Sequence, residues 1–512
     1  MGQRPAAHRP HPVAYLLAVV LPLVLLLTVA APWGIARVVA GLRPSGTSSS
    51  APPAPSASPT SVDPSSADEG LPGLGDPYYP DAGNSGYDAL RYAIAISWDP
   101  AAERLTGHTV VTARATQPLR SFYLDLALTA EQVSVDGQPA AFEKLGFADL
   151  RVTPARPLAA GAKFEVTVDY SGLPTRLRQG KLTPWRSFGQ EWTVANEPES
   201  SAWWYPANDH PSDPALMDVS VRVPAGLTAV SVGALESKDT AREAGFDTWH
   251  WVARQPMASY LNFVSIGRFE LEEGTVDGRP YVYAVSEQVS AEDRRAAFTS
   301  LRRSAAIVEV CESMFGPYPF TELGGVVPAG KLPFAGLETQ TRPVYALDAI
   351  ISDRFAAGLL THELAHMWFG DNVTLRQWND IFTNEAYASW AEWGYAERTG
   401  GRTADAAFDA LFERVQDRDE FWRVTMVDPG RQHLFDVVYS RGPMTLQALR
   451  NVIGDDAFFA LAREWAQDPG SRSLEDWMVR AQAKTQVDLS PFFQAWLYAA
   501  TPPARTAANG FR

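Results

Sequence analysis

The chain has one cysteine in 512 residues, Cys311, so no internal disulfide framework can form in any compartment. Cys311 lies in "AAFTSLRRSAAIVEVCESMFG", where Phe298, Leu301, Ala305, Val308 and Phe315 share its helical stripe, and it reads as core rather than as a reactive thiol. Positive charge is also in short supply. Forty-four Lys and Arg stand against 59 Asp and Glu, and removing the four arginines of residues 1–44, where no acid occurs, takes the net charge from −15 to −19. So acidic a remainder argues against binding nucleic acid or lipid headgroups and fits a soluble protein in a secreted setting. Histidine is scarce as well, eight residues in all, which gives weight to any two that fall at a chemically meaningful spacing. What is present is ordinary for globular protein, 46% hydrophobic and 20% charged, and the chain is long enough for two or three domains with sizeable cores.

Charge is missing altogether from residues 13–32, "VAYLLAVVLPLVLLLTVAAP", which follow Arg4, His8 and Arg9. Twenty apolar residues can span a bilayer, whereas the apolar core of a secretory signal is about 7 to 15 long. Residues 1–43 are therefore expected to be a basic head and an uncleaved signal anchor, with Ala30 and Ala31 leaving cleavage and secretion as the alternative. Residues 44–75, rich in Pro, Ser and Ala, are expected to form a flexible linker. A basic head, a span and a tether together imply a single-pass protein of the cell membrane whose remaining residues lie outside the cytoplasm.

From about residue 85 to 285 the hydrophobic pattern has period two, as in "RYAIAISWD" and "KFEVTVDYSG", and predicts an antiparallel β domain over 76–285. Near Ala291 the period becomes helical and stays so to "LSPFFQAWLYAATPP", which gives a second domain over 286–505. The fold class expected is thus α+β and multidomain, an N-terminal antiparallel β-sandwich or saddle followed by a mainly helical domain.

The two histidines at a meaningful spacing are in "THELAHMWFG", residues 361–370. Positions i and i+4 of a helix lie on one face, so His362 and His366 can aim both imidazoles at one metal ion while Glu363 sits about 100° round the helix, near the metal without binding it. A catalytic zinc needs a third protein ligand and an open position. In the metzincin pattern that ligand and its glycine would fall at Asn372 and Phe369, which excludes the subclass. The other common source is a glutamate on a following helix. "WNDIFTNEAYASW" offers Glu385, with eighteen residues between it and His366; read alone, it could also be a first-turn glutamate favoured by the helix dipole.

HELAH, the eighteen-residue gap, NEA and the preceding WND together resemble the gluzincin metallo-aminopeptidases, the family of aminopeptidase N and leukotriene hydrolase. The resemblance extends over most of the chain. "AGLET", residues 335–339, is similar to the family's GAMEN motif, with Ala335 and Thr339 in place of its first glycine and its asparagine. Alone it would read as a surface loop; with twenty-three residues between Glu338 and His362, the resemblance makes Glu338 a holder of the substrate's amine and Gly336 part of the substrate site. "NEPESSAWWYPANDHP", residues 196–211, resembles the family stretch running from Q-x-E-P to F-P-C-x-D-x-P, which implies that Glu197 is a second amine-binding residue. "YSRG", residues 439–442, is similar to the family's Y-x-K-G with Arg441 for lysine; alone a turn, it implies by resemblance that Tyr439 stabilises an oxyanion.

The resemblance implies a thermolysin-like fold for the helical domain, in a short form without the family's C-terminal helical domain. It implies one zinc ion held by His362, His366 and Glu385, with Glu363 as general acid and base. The expected activity is removal of N-terminal residues from peptides with a free amine, by a monomer. A gluzincin endopeptidase or an epoxide hydrolase on the same zinc site are the enzymatic alternatives, and a non-catalytic scaffold binding through the β domain is the remaining one.

Overall fold

The computed structural model describes residues 68–240 and 245–512. The expected anchor at 13–32 and most of the expected linker lie outside the described residues. Among those described, no helix is long and apolar enough to cross a membrane.

The N-terminal half is β-rich. Its largest sheet has eight strands, ordered Ala234–Asp239, Phe246–Met257, Ala215–Pro224, Tyr87–Asp99, Arg104–Ala115, Lys163–Gly172, Thr129–Val135 and Gln138–Pro139. The period-two pattern folds as expected: Tyr92, Ile94, Ile96 and Trp98 are buried along one strand, and Phe164, Val166, Val168 and Tyr170 along another. The sheet is not wholly antiparallel, however. Tyr87–Asp99 pairs parallel with Ala215–Pro224, Arg91 opposite Leu216 through Ser97 opposite Arg222. A parallel neighbour requires a long crossover, and the intervening chain supplies one, a connectivity that alternation of side chains does not encode. A four-stranded sheet (Thr228–Val230, Val264–Gly267, Trp192–Val194, Trp185–Ser187) packs on the large one through Trp98, whose ring centroid lies 5.1 Å from that of Trp185 and 5.4 Å from that of Trp192.

Residues Asp68–Gly75, the end of the expected linker, are bonded to this region: Gly70 N–H donates to Ser121 O at 2.8 Å and Gly73 N–H to Gly83 O at 2.8 Å. Their composition, glycine and leucine rather than serine, differs from the stretch before them.

A hairpin, Phe269–Val276 and Arg279–Ser286, then leads into the helical half by pairing parallel with Leu323–Val327, whose sheet continues through Val344–Tyr345 to Gly336–Leu337. The helical stripe around Cys311 forms two helices, Ala291–Leu301 and Ser304–Phe315, with Leu301, Val308, Cys311 and Phe315 fully buried. Burial pushes the Cys311 thiol up to about 12. An N-terminal β-rich domain followed by a mainly helical region is the fold class the sequence predicts.

Candidate active site

The helix Ala356–Ala365 carries His362 and Glu363, and His366 caps it in helical conformation. The helix stops there because the chain turns at Gly370, which has φ of 124° and donates its N–H to Val373 O at 2.9 Å. A second helix, Phe382–Arg398, crosses the first and presents Glu385 in its first turn. Both imidazoles converge on one carboxylate oxygen: Glu385 Oε2 lies 3.2 Å from His362 Nε2 and 3.3 Å from His366 Nε2. The opposite ring nitrogens are occupied. His366 Nδ1–H donates to Phe369 O at 2.9 Å, and His362 Nδ1–H donates to Glu392 Oε1 at 3.1 Å. A carbonyl and a carboxylate can only accept, so in both rings Nδ1 carries the proton and Nε2 keeps its lone pair for a ligand.

Two neutral imidazoles and a carboxylate meeting at one point are the donor set of a catalytic zinc with an open coordination position, and the three residues fit that ion.

Glu363 is buried, and burial pushes its carboxyl up to about 8 although both histidines pull it down. Gly336 lies directly against it. A Cβ built at Gly336 would sit 2.2 Å from Glu363 Oε1, so the missing side chain is what lets the strand Gly336–Leu337 lie over the glutamate. The next residue but one, Glu338, turns inward beside it. Glu338, Glu363 and His366 each offer an atom within 4.8 Å of the other two. Thr339, where the family motif has asparagine, closes the turn beyond by donating to Arg342 O at 2.8 Å.

Glu197 reaches the same space from the β domain. Asn196 Nδ2 donates to the carbonyls of Glu197 and Glu199 at 2.9 and 3.1 Å and so folds the loop back on itself. Glu197 Oε1 is buried with no hydrogen-bond partner among the described residues. Burial, then the nearby Glu338, Glu385 and Glu363, push its carboxyl well above the usual range. A buried, unpartnered acceptor among carboxylates fits a cationic donor.

Tyr439 stands in the first turn of Val438–Ile453, and its hydroxyl donates to Glu385 Oε1 at 3.0 Å. Gly442, one turn on, allows this approach: a Cβ there would meet Ala386 Cβ at 2.7 Å. Arg441 points the other way, fully buried, and donates to the carbonyls of Trp422, Val424, Trp496 and Ala499. It ties the helix to the segment Gln494–Tyr498 and takes no part in the site.

All eight residues expected from the sequence are therefore brought together. Three that the sequence reading missed stand beside them. Glu392, the partner of His362, lies seven positions after Glu385 on the same helix, and that two-turn spacing was a readable signal. Tyr260, whose hydroxyl donates to Glu338 Oε1 at 3.0 Å, and Asp371, whose two carboxylate oxygens are buried without a partner among the described residues, gave none.

The fold and site define a β-rich domain and a helical region built round a His-His-Glu donor set that fits zinc. Residues 300–496 match the peptidase family M1 domain. Among curated relatives, human endoplasmic reticulum aminopeptidase 1 is 27% identical over 326 residues, covering 59% of this chain and 34% of the relative. Mouse aminopeptidase B is 26% identical over 297 residues, 56% of this chain and 43% of the relative, so the chain spans less than half the length of either. A solved M1 zinc metallopeptidase from Deinococcus radiodurans, described as bound to a Tyr-Ser-Ala substrate, superposes with a TM-score of 0.75 at 24% identity, covering 84% of this chain and 99% of that one. Residues 300–496 thus carry a peptidase family M1 domain, and the chain is similar to zinc metallo-aminopeptidases of that family.

Proposed function

We propose that this chain is a zinc-dependent aminopeptidase that removes N-terminal residues from peptides outside the cytoplasm. One observation carries the reading: Glu338, Glu363 and His366 offer atoms within 4.8 Å of one another. A substrate ammonium is two bonds from the carbonyl carbon of the first peptide bond. An ammonium held at Glu338 therefore leaves only that carbonyl beside Glu363.

His362, His366 and Glu385 would hold the zinc, which supplies Lewis acidity and lowers the pKa of a bound water. Glu197 and Glu338 bind the ammonium by charge-assisted hydrogen bonds and fix the register of the peptide. Glu363 takes the proton of the attacking water on its carboxylate and passes it to the leaving amine nitrogen. The Tyr439 hydroxyl, which donates to Glu385 in this structure, would turn its single O–H to the oxyanion as it forms.

The extracytoplasmic setting rests on the twenty uncharged residues 13–32 behind a basic head, read as a membrane anchor. Fractionation of the full-length chain is expected to leave it with the membrane; mature protein in the medium beginning near Ala31 would replace the anchor with a cleaved signal. For the activity, metal analysis should find one zinc per chain, and incubation with an unblocked peptide should release its first residue in a reaction that chelation stops. Turnover that survives chelation in zinc-free protein would overturn the proposal.

A further inference from the structure

Four residues where the expected linker meets the folded region, Asp76–Tyr79, are wired into the site by a continuous chain of contacts. Asp76 is 2% exposed and uses both carboxylate oxygens. Its Oδ1 accepts from the N–H groups of Tyr78 and Tyr79 at 2.8 and 2.9 Å, and Oδ2 accepts from Trp378 N–H at 2.8 Å and faces His210 Nε2 at 3.2 Å. Trp378 opens the WND stretch that leads into the helix of Glu385. Its ring is fully buried between two tyrosines, with centroids 5.8 Å from Tyr79 and 5.5 Å from Tyr260. Tyr260, 1% exposed, then donates its hydroxyl to Glu338 Oε1. Tyr78 adds a second tie, donating to Asp428 and accepting from Gly430 N–H, in the loop that precedes the helix of Tyr439.

We infer that Tyr260 is a positioning residue for the amine-binding carboxylate Glu338, and that Asp76–Tyr79 braces it through Trp378. The inference rests on the reading of Glu338 given above. A glutamate side chain has three rotatable bonds, and a buried one keeps a single direction only where a donor fixes it. The Tyr260 hydroxyl is that donor, and the ring bearing it is wedged by Trp378, whose backbone is in turn held by Asp76. Loosening any link lets the carboxylate swing, which weakens the hold on a substrate's ammonium and leaves the zinc ligands untouched. The N-terminal root of the folded region thereby becomes a support of substrate recognition as well as a point of attachment.

The test uses the full-length, zinc-loaded chain and the inhibition constants of phenylalanine amide and its des-amino analogue. Wild type is expected to bind the amine form at least about tenfold more tightly. Tyr260→Phe, which removes one oxygen and keeps the ring packing, should cut that preference at least about fivefold; Asp76→Asn, remote from the ligand, should cut it about twofold. Both variants should keep their zinc and leave the des-amino constant unchanged. A wild-type preference that survives both substitutions overturns the inference and leaves the role of Glu338 standing. A wild type that does not favour the amine overturns both.

Discussion

The two ends of the site are built differently. At the metal end, Nδ1 of His362 and of His366 and Oε1 of Glu385 have hydrogen-bond partners within the protein, while Nε2 of both rings and Glu385 Oε2 converge on one point. At the amine end, Glu197 Oε1 and both oxygens of Asp371 are buried with no partner among the described residues. Burial first, and the neighbouring carboxylates Glu338 and Glu363 next, push the Asp371 carboxyl well above its ordinary range. The metal end is thus aimed by hydrogen bonds made behind its ligand atoms, whereas the amine end concentrates acid in a space whose missing partner is positive. A zinc ion satisfies the first and a substrate ammonium the second.

The largest effects should come from the metal end, and they separate binding from chemistry. Glu385→Ala removes a ligand and should lose both zinc and turnover. Glu363→Gln is nearly isosteric and lies off the direction of the two imidazoles, so it should keep the metal while kcat falls about a thousandfold. A Gln variant within tenfold of wild type in kcat, with its zinc in place, would remove Glu363 from the chemistry.

The amine end should respond next. Glu338→Ala is expected to lower kcat/KM on free peptides by at least about a hundredfold, the equivalent of one charge-assisted hydrogen bond in a buried site. Glu197→Ala should cost less. If the order of the two reverses, Glu197 is the principal anchor.

Gly336 stands where the ends meet. Gly336→Ala would put a methyl group against Glu363 Oε1 and should lower kcat about tenfold with KM little changed, read from steady-state kinetics on one anilide substrate. An unchanged kcat would show that Glu363 has room to shift.

The smallest expected effect is on stability and tests whether the acid surplus extends outward. Burial, with Asp209 and Asp81 adding and Arg431 opposing, pushes Glu199 up to about 7, and Tyr79 faces it as well. A free glutamate titrates near 4.3, so between about pH 4.3 and 7 the folded chain keeps a proton that the unfolded chain releases, and stability falls as pH rises through that window. Melting curves of wild type and Glu199→Gln should coincide below about pH 4.3 and separate by about 2 °C in favour of the variant by pH 7. Curves that stay parallel across the window would mean that Glu199 is ionised in the folded protein.

The same contrast explains what could be read in advance. His362 and His366 share one helical turn, so the helical repeat made that pair legible from spacing, whereas Glu385 lies on the next helix and the family resemblance singled it out as the third ligand. Glu197 and Glu338 lie in loops that follow strands of different sheets, and only the resemblance of short stretches to a family pointed to them. Tyr260 and Trp378 left no mark, because a tyrosine and a tryptophan at ordinary core positions gain their roles from what the fold sets opposite them. The β strands were legible by alternation, yet the parallel pairing of Tyr87–Asp99 with Ala215–Pro224 was not, since period two is the same for either direction.

The central claim is that two buried carboxylates make this zinc site an exopeptidase. The most direct measurement compares kcat/KM for one tripeptide with a free amine and for its acetylated form, with identification of the bond cut. Acetylation removes the positive charge and adds bulk where Glu197 and Glu338 converge. The account predicts a loss of at least about a hundredfold, with cleavage of the free peptide at its first bond alone. Equal rates on both peptides, with cuts at internal bonds, would contradict it.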